Sequence, residues 1–360
     1  MTPNNNKTNL KRGLLLLAVT LAILLTSCNV TSASEDNQVQ ISPEVGEILV
    51  YTALQDEQIE GYVRNFNRKY PNIEVNVLRE STGTMTRRIF AEANNPQADV
   101  IWGVAATSLL IAEWKEILQA YAPKGLSRVN PRFRDLANPP NWVGIDVWMS
   151  AFCVNTEEIK KLNLPTPGSW ADLLNPLYKD YIVMPNPNSS GTGFLSISAV
   201  FQIWDEASGW EYLDELHENI ALYTHSGSKP CKLVGAGEYP IGISFGFQGT
   251  IQKESGKPVK TVFPAEGSGW DMEANGLVKK NNIKPAAKTF LDWAISDRAM
   301  NEYAQNWAVT AVKTDQPIPE NYPSDPTTQM IDNDLPWAAA NRGRILSQWL
   351  RLYDEKSEPK

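Results

Sequence analysis

Histidine and cysteine are scarce in this chain. Among 360 residues there are two histidines, His217 and His225, and three cysteines, Cys28, Cys153 and Cys231. Neither histidine has cysteines or carboxylates at metal-site spacing, so no metal ion or other cofactor is expected, and both imidazoles read as packed or capping residues. Basic runs are absent as well, and the net charge is −8. An acidic chain of this kind is unsuited to nucleic acid or to an anionic membrane surface. Beyond residue 25 no long apolar run occurs, which removes membrane-spanning helices from consideration there.

The one apolar run lies near the start. Lys7, Lys11 and Arg12 precede 13 residues, Gly13 to Leu25, followed by Leu25-Thr26-Ser27-Cys28. That run is shorter than the ~18 to 20 residues of a spanning helix and is flanked as a signal peptide is, over residues 1–27. Leu25-Thr26-Ser27-Cys28 resembles a lipobox, which implies cleavage before Cys28 and diacylation of that cysteine; an ordinary signal peptide with a coincidental cysteine is the alternative. Residues 28–46, rich in Ser, Asn, Glu and Gln, read as a flexible tether. The expectation is an exported, membrane-anchored lipoprotein facing the periplasm or the cell exterior.

Hydrophobic residues at 42% and charged residues at 21% describe a globular remainder large enough for two domains. In an exported protein the even pair Cys153 and Cys231 favours a disulfide over a metal site. Strand-like and helical segments alternate. Residues 48–51, 73–78 and 98–102 read as strands and 55–70 and 84–94 as helices, which is the βαβ logic of a parallel sheet. A long apolar run at 144–154 crosses into a second half, with strands at 181–184, 221–224 and 241–245, and residues 258–263 cross back. Segment 270–278 rejoins the first half, helices follow over 285–307, and 337–353 reads as one more. The organisation expected is α/β, with domain 1 over 47–148 and 264–360, domain 2 over 149–263, and a hinged cleft between them.

Three hydroxyl and glycine clusters stand before helical segments: Ser81-Thr82-Gly83-Thr84, Ser189-Ser190-Gly191-Thr192-Gly193 and Ser226-Gly227-Ser228-Lys229. A helix N-terminus offers unpaired N–H groups and partial positive charge, hydroxyls add donors, and glycine admits a tetrahedral oxyanion closely. Any one cluster is equally an ordinary cap or turn. Three of them in an exported chain point to an anion site at the carboxyl ends of the strands, where Tyr51, Ser81 and residues 103–107 would fall.

These segments carry a family resemblance. The lipobox, Tyr51-Thr52, Ser81-Thr82-Gly83, Ala98-Asp99-Val100-Ile101-Trp102-Gly103 and the two crossover segments resemble the extracellular solute-binding proteins of ABC importers, which have a type II, periplasmic-binding-protein-like fold. Gly144-Ile145-Asp146-Val147-Trp148, the Asn186 to Gly193 segment, Thr224 to Cys231 and Gly269-Trp270-Asp271-Met272-Glu273-Ala274 are similar to the branch assigned to 2-aminoethylphosphonate. The resemblance implies a monomer that hands this ligand to an ABC permease. A tetrahedral anion two carbons from an ammonium needs donors on one part of the site and a carboxylate or aromatic box on another. Ser81, Thr82, Gly83, Ser189, Ser190, Gly191, Thr192, Ser226 and Ser228 are the candidate donors. Asp271 and Glu273 are candidates for the ammonium, with Tyr51, Trp102 and Trp148 as cation–π walls. Phosphate, another organophosphonate or a phosphocholine-like compound is the alternative ligand.

Ferric-ion binders, which share this type of fold, ligate the metal through adjacent tyrosines after the last strand of the second domain. Here that region reads Ser244-Phe245-Gly246-Phe247, which argues against iron. Gly242-Ile243-Ser244-Phe245-Gly246 matches a nucleophile elbow, but no histidine follows His225; Ser226 to Lys229 matches Ser-x-x-Lys without its companion motifs. A cell-surface serine hydrolase is therefore the weaker alternative, and no catalytic residue is expected.

Overall fold

The computed structural model describes residues 42–359, so the signal peptide, Cys28 and nearly all of the tether lie outside the described residues. The first half follows the alternation of β-branched strands and amphipathic helices: β1 (Gly46–Thr52), α1 (Asp56–Asn67), β2 (Ile73–Arg79), α2 (Thr82–Ala91), β3 (Val100–Ala105), α3 (Ala106–Trp114) and the short β4 (Leu118–Gln119). A 14-residue strand, β5 (Trp142–Asn155), leads to α4 (Thr156–Lys161), β6 (Ile182–Pro185), α5 (Gly191–Trp204), α6 (Glu206–Asn219), β7 (Ile220–Thr224) and α7 (Lys229–Gly235). Then come β8 (Ile241–Phe245), α8 (Gly246–Glu254), β9 (Val259–Val262), β10 (Trp270–Val278), α9 (Pro285–Ala294), α10 (Asp297–Tyr303), β11 (Val309–Thr310) and α11 (Leu335–Tyr353).

The strands run in the order β2-β1-β3-β10-β5-β8-β6-β7. Along β5, residues Trp142 to Met149 pair with β10, and Ser150 to Val154 pair with β8. One strand thus belongs to two sheets, which is why all 14 of its residues are buried. The sheets are mixed, not parallel as expected. β1 pairs in parallel with β2 and β3, as β6 does with β7 and β8, but β10 is antiparallel to both β3 and β5. The cause is topological, because the chain leaves the first sheet along β5 and must re-enter it in the opposite sense.

Two large cores accompany the sheets. Ile48, Val50, Trp102, Phe290 and Trp293 belong to the first, and Phe152, Ile182, Ile197, Ile243 and Trp349 to the second. Helix α11 departs from expectation. Its Ala338, Ile345, Trp349 and Tyr353 pack in the second core, so the assignment of all of 264–360 to the first half is corrected. The helix bridges the two halves: it packs along α3 and its Leu335 joins the first core, while Trp210 stacks near Tyr353 and Arg342 lies over the Phe194 ring. Among the described residues no helix is long and apolar enough to cross a membrane.

Cys153 on β5 and Cys231 on α7 are bonded, with Cα atoms 5.4 Å apart and a sequence separation of 78. Closing so long a loop removes chain entropy from the unfolded state. Replacing both cysteines with alanine should lower unfolding free energy by about 2–4 kcal/mol, measured as a shift of the urea midpoint against the oxidised protein.

Candidate functional site

The carboxyl ends of β1, β2, β3 and β8 open onto one small cavity, partly open to solvent. Ser81, Thr82, Trp148, Ser190, Gly191, Thr192 and Glu273 line it, so seven of the candidate residues are brought together. Two helices of the opposite halves start there. Ser81 is the N-cap of α2 and makes no side-chain cap bond; Ser190 is the N-cap of α5 and accepts from Gly193 N–H at 3.3 Å. Neither helix carries an acidic residue in its first turn, so nothing on the helix itself offsets the positive end of its dipole. Helix α5 starts at Gly191, directly after its capping residue Ser190, and its two glycines tolerate close neighbours.

The two halves touch across this cavity. Gly83 N–H donates to Ser189 O at 3.0 Å, Arg87 donates to Asn188 O at 2.6 Å, and Lys232 pairs with Glu57 at 2.8 Å. A Cβ at Gly83 would stand 2.3 Å from Asn188 O, and one at Gly191 would stand 2.7 Å from Thr82 Oγ1. Gly83 and Ser189 are therefore closing contacts at the rim, and the cleft is shut. Gly83→Ala should hold it ajar, read as a larger radius of gyration in solution scattering with little change in melting temperature.

Five candidates fall elsewhere. Tyr51 donates its hydroxyl to Glu92 at 3.0 and 3.1 Å, away from the cavity. Trp102 is buried among Tyr62, Phe290 and Trp293 and donates to the Tyr303 hydroxyl at 3.2 Å; its strand neighbour Gly103 faces the cavity instead, since successive strand residues alternate faces. Asp271 accepts from Ala106 N–H at 3.1 Å and Thr107 Oγ1–H at 2.6 Å, so it caps α3 and is spent there. Burial pushes its carboxyl up to about 6 although the Thr107 hydroxyl and Met272 N–H pull it down. The Ser226 and Ser228 hydroxyls bond each other at 3.0 Å, and only the intervening Gly227 lines the cavity.

Gly103 lies at the strand end where residues 103–107 were expected and Gly227 belongs to the third hydroxyl and glycine cluster, whereas Ala53, Gln55, Arg79, Phe245 and Trp307 were missed. Arg79 and Phe245 end β2 and β8, so the rule of strand carboxyl ends could have found both. Arg79 is held by an Nε–H bond to Leu54 O at 3.1 Å. Trp307 follows α10 in a turn and stacks on Phe245 at 6.0 Å, a placement with no local signal. The motifs suggestive of hydrolysis are occupied structurally, since Ser244 donates to Gly227 O at 2.7 Å and Lys229 pairs with Glu358. Both histidines are packed: His217 bonds Tyr223 at 3.0 Å and Glu355 at 2.8 Å, and His225 lies 3.3 Å from Pro359 O.

The sequence pattern of bacterial extracellular solute-binding proteins matches residues 95–335. The chain belongs to this family. Its members are binding proteins of ABC importers, not enzymes, and work outside the cytoplasm. A Haemophilus influenzae protein of uncharacterised role is 31% identical over 254 residues, 70% of this chain and 73% of that one. The periplasmic binding protein AfuA from Actinobacillus pleuropneumoniae, solved with fructose-6-phosphate bound, superposes with a TM-score of 0.80 at 29% identity, covering 86% of this chain and 99% of AfuA. A putative 2-aminoethylphosphonate-binding periplasmic protein of Salmonella typhimurium is 24% identical over 303 residues, 80% of this chain and 86% of the relative.

At the cavity wall Glu273 on β10 stands opposite Asp146 on β5, and both are buried. Burial and mutual repulsion hold Asp146 well above the usual carboxylate range; burial pushes Glu273 up to about 8, against the pull of Asp146 hydrogen bonding and of Arg79. The folded state therefore keeps protons that the unfolded chain releases near pH 4, and the stability tied to them is lost as pH rises toward 8. In the free protein, Glu273→Gln should shrink the fall in melting temperature between about pH 5 and about pH 8, followed by calorimetry.

Proposed function

We propose that this binding protein captures 2-aminoethylphosphonate and delivers it to an ABC permease, tethered through a lipid on Cys28. The observation that carries the reading is the composition of one cavity wall. Two helix N-termini with Ser81, Thr82, Ser190 and Thr192, together with Arg79, supply donors for a tetrahedral oxyanion; Glu273 with Trp148, Phe245 and Trp307 supplies a carboxylate and aromatic faces for an ammonium. The Salmonella relative of that description supports the same ligand. Neutral donors dominate the anion side, which suits a carrier that has to let go of its cargo. Phe245 presents a ring where ferric binders need a phenolate, and among the described residues no group of three His, Cys, Asp or Glu side chains is placed to hold a metal.

A second reading is a sugar phosphate. The likeness to AfuA favours it, and the same donors suit a phosphate monoester while Glu273 accepts from sugar hydroxyls. Titration calorimetry of the chain from residue 29 onward with 2-aminoethylphosphonate, fructose-6-phosphate, phosphate and ferric citrate separates them. Preferred binding of the aminophosphonate is expected; preferred binding of the sugar phosphate would install the second reading. Ser190→Ala should weaken the bound ligand by about 1–3 kcal/mol and Arg79→Met by a similar amount, whereas Ser226→Ala, outside the cavity, should change affinity by less than about 0.5 kcal/mol.

A further inference from the structure

We propose that Asp146 and Glu273 form a single cation-reading element, and that the ammonium group of the ligand, on entering the cleft, displaces into solvent the proton that the two carboxyl groups share. This rests on the aminophosphonate reading. The geometry comes from the sheet: Asp146 and Glu273 are register partners on adjacent strands, so their side chains leave the same face side by side. Asp146 is 1% exposed and Glu273 6%, and Glu273 lines the cavity. Apart from the proton that the pair shares, among the described residues no donor reaches Asp146 Oδ1 or Oδ2 or Glu273 Oε2, and Trp307 Nε1, on the same cavity wall, has no acceptor. Such orphaned polar atoms are costly unless a ligand or water completes them.

The neighbours explain why the pair keeps a proton. Among the described residues Arg79, at the end of β2, is the cation acting on Glu273; Tyr62 on α1, Tyr303 on α10 and Tyr322 before α11 lie near Asp146 as neutral phenols. Two adjacent carboxylates with so little compensation do not both ionise, so they titrate as one unit. Above the value of about 8 at which Glu273 gives up the first proton, the unliganded pair keeps one proton and carries one negative charge, and the ligand ammonium carries one positive charge. After binding the pair carries two negative charges against the unchanged ammonium, one O–H bond has broken, and the proton is in the buffer. An uncharged sugar body brings no charge to support the second carboxylate, so a sugar phosphate leaves the proton in place. Asp146 touches Glu273 and not the cavity, which makes it a positioning residue for selectivity.

The test is calorimetry of the intact mature chain with 2-aminoethylphosphonate in two buffers of different ionisation enthalpy at about pH 9, above the value of about 8 for Glu273, where only the proton held by the pair as a unit remains. The wild type should release about one proton per ligand. Asp146→Asn has nearly the same shape but no proton to give. It should release less than half as much, and because the ligand is the same in both proteins its own phosphonate protonation cancels. Equal release by the two proteins overturns the inference and leaves the functional reading standing. Failure of the aminophosphonate to bind, with fructose-6-phosphate binding instead, overturns both. A second readout needs no variant: the infrared carbonyl band of a protonated carboxyl group in the free wild type should disappear on adding 2-aminoethylphosphonate, and its persistence in the complex overturns the inference.

Discussion

Much of the molecule depends on β5 being shared by two sheets. Its first half hydrogen-bonds β10 and its second half β8, so the backbone that joins the two halves is also the middle of each sheet's pairing. A strand in that position has no solvent face, and its 14 buried residues include the groups most sensitive to burial. Asp146 and Trp148 sit just before the transfer from one sheet to the other, and Cys153 just after it. The same strand thus sets the depth of the cleft, carries half of the carboxyl pair and anchors the disulfide.

The cleft solves an electrostatic problem. A chain with a net charge of −8 gathers positive potential at the same cavity as two carboxyl groups. It does so with fixed dipoles: α2 and α5 point their N-termini inward from opposite halves, and their first turns carry no acid. Such dipoles act only within about one helical turn, so they select the anion locally without altering the charge of the whole protein. Arg79 adds one formal charge, which also moderates Glu273. Closing contacts between Gly83 and Ser189 and between Arg87 and Asn188 then exclude water, which strengthens every polar contact inside.

Asp271 and Glu273 illustrate how far a residue pattern reaches. Both are acids on β10 two positions apart, hence on one face and separated by roughly 7 Å along the strand. One ends beneath α3, where Ala106 N–H and Thr107 occupy it; the other ends at the cavity opposite Asp146. No local property distinguishes them. Trp102 and Trp148 are parted in the same way, because one packs against α9 and α10 while the other meets the cleft.

What the sequence determined by itself was most of the elements and the donor-rich clusters at helix starts. Apolar periodicity gave the strands and helices, and the hydroxyl and glycine clusters marked helix starts, because these signals are local and act within a few residues. Antiparallel return of β10, the packing of α11 on the second core, the pairing of Asp146 with Glu273 and the arrival of Arg79, Phe245 and Trp307 at one cavity were decided only by tertiary structure. Each depends on contacts between residues tens to hundreds of positions apart, and such contacts are fixed by how whole surfaces fit, not by what any short stretch prefers.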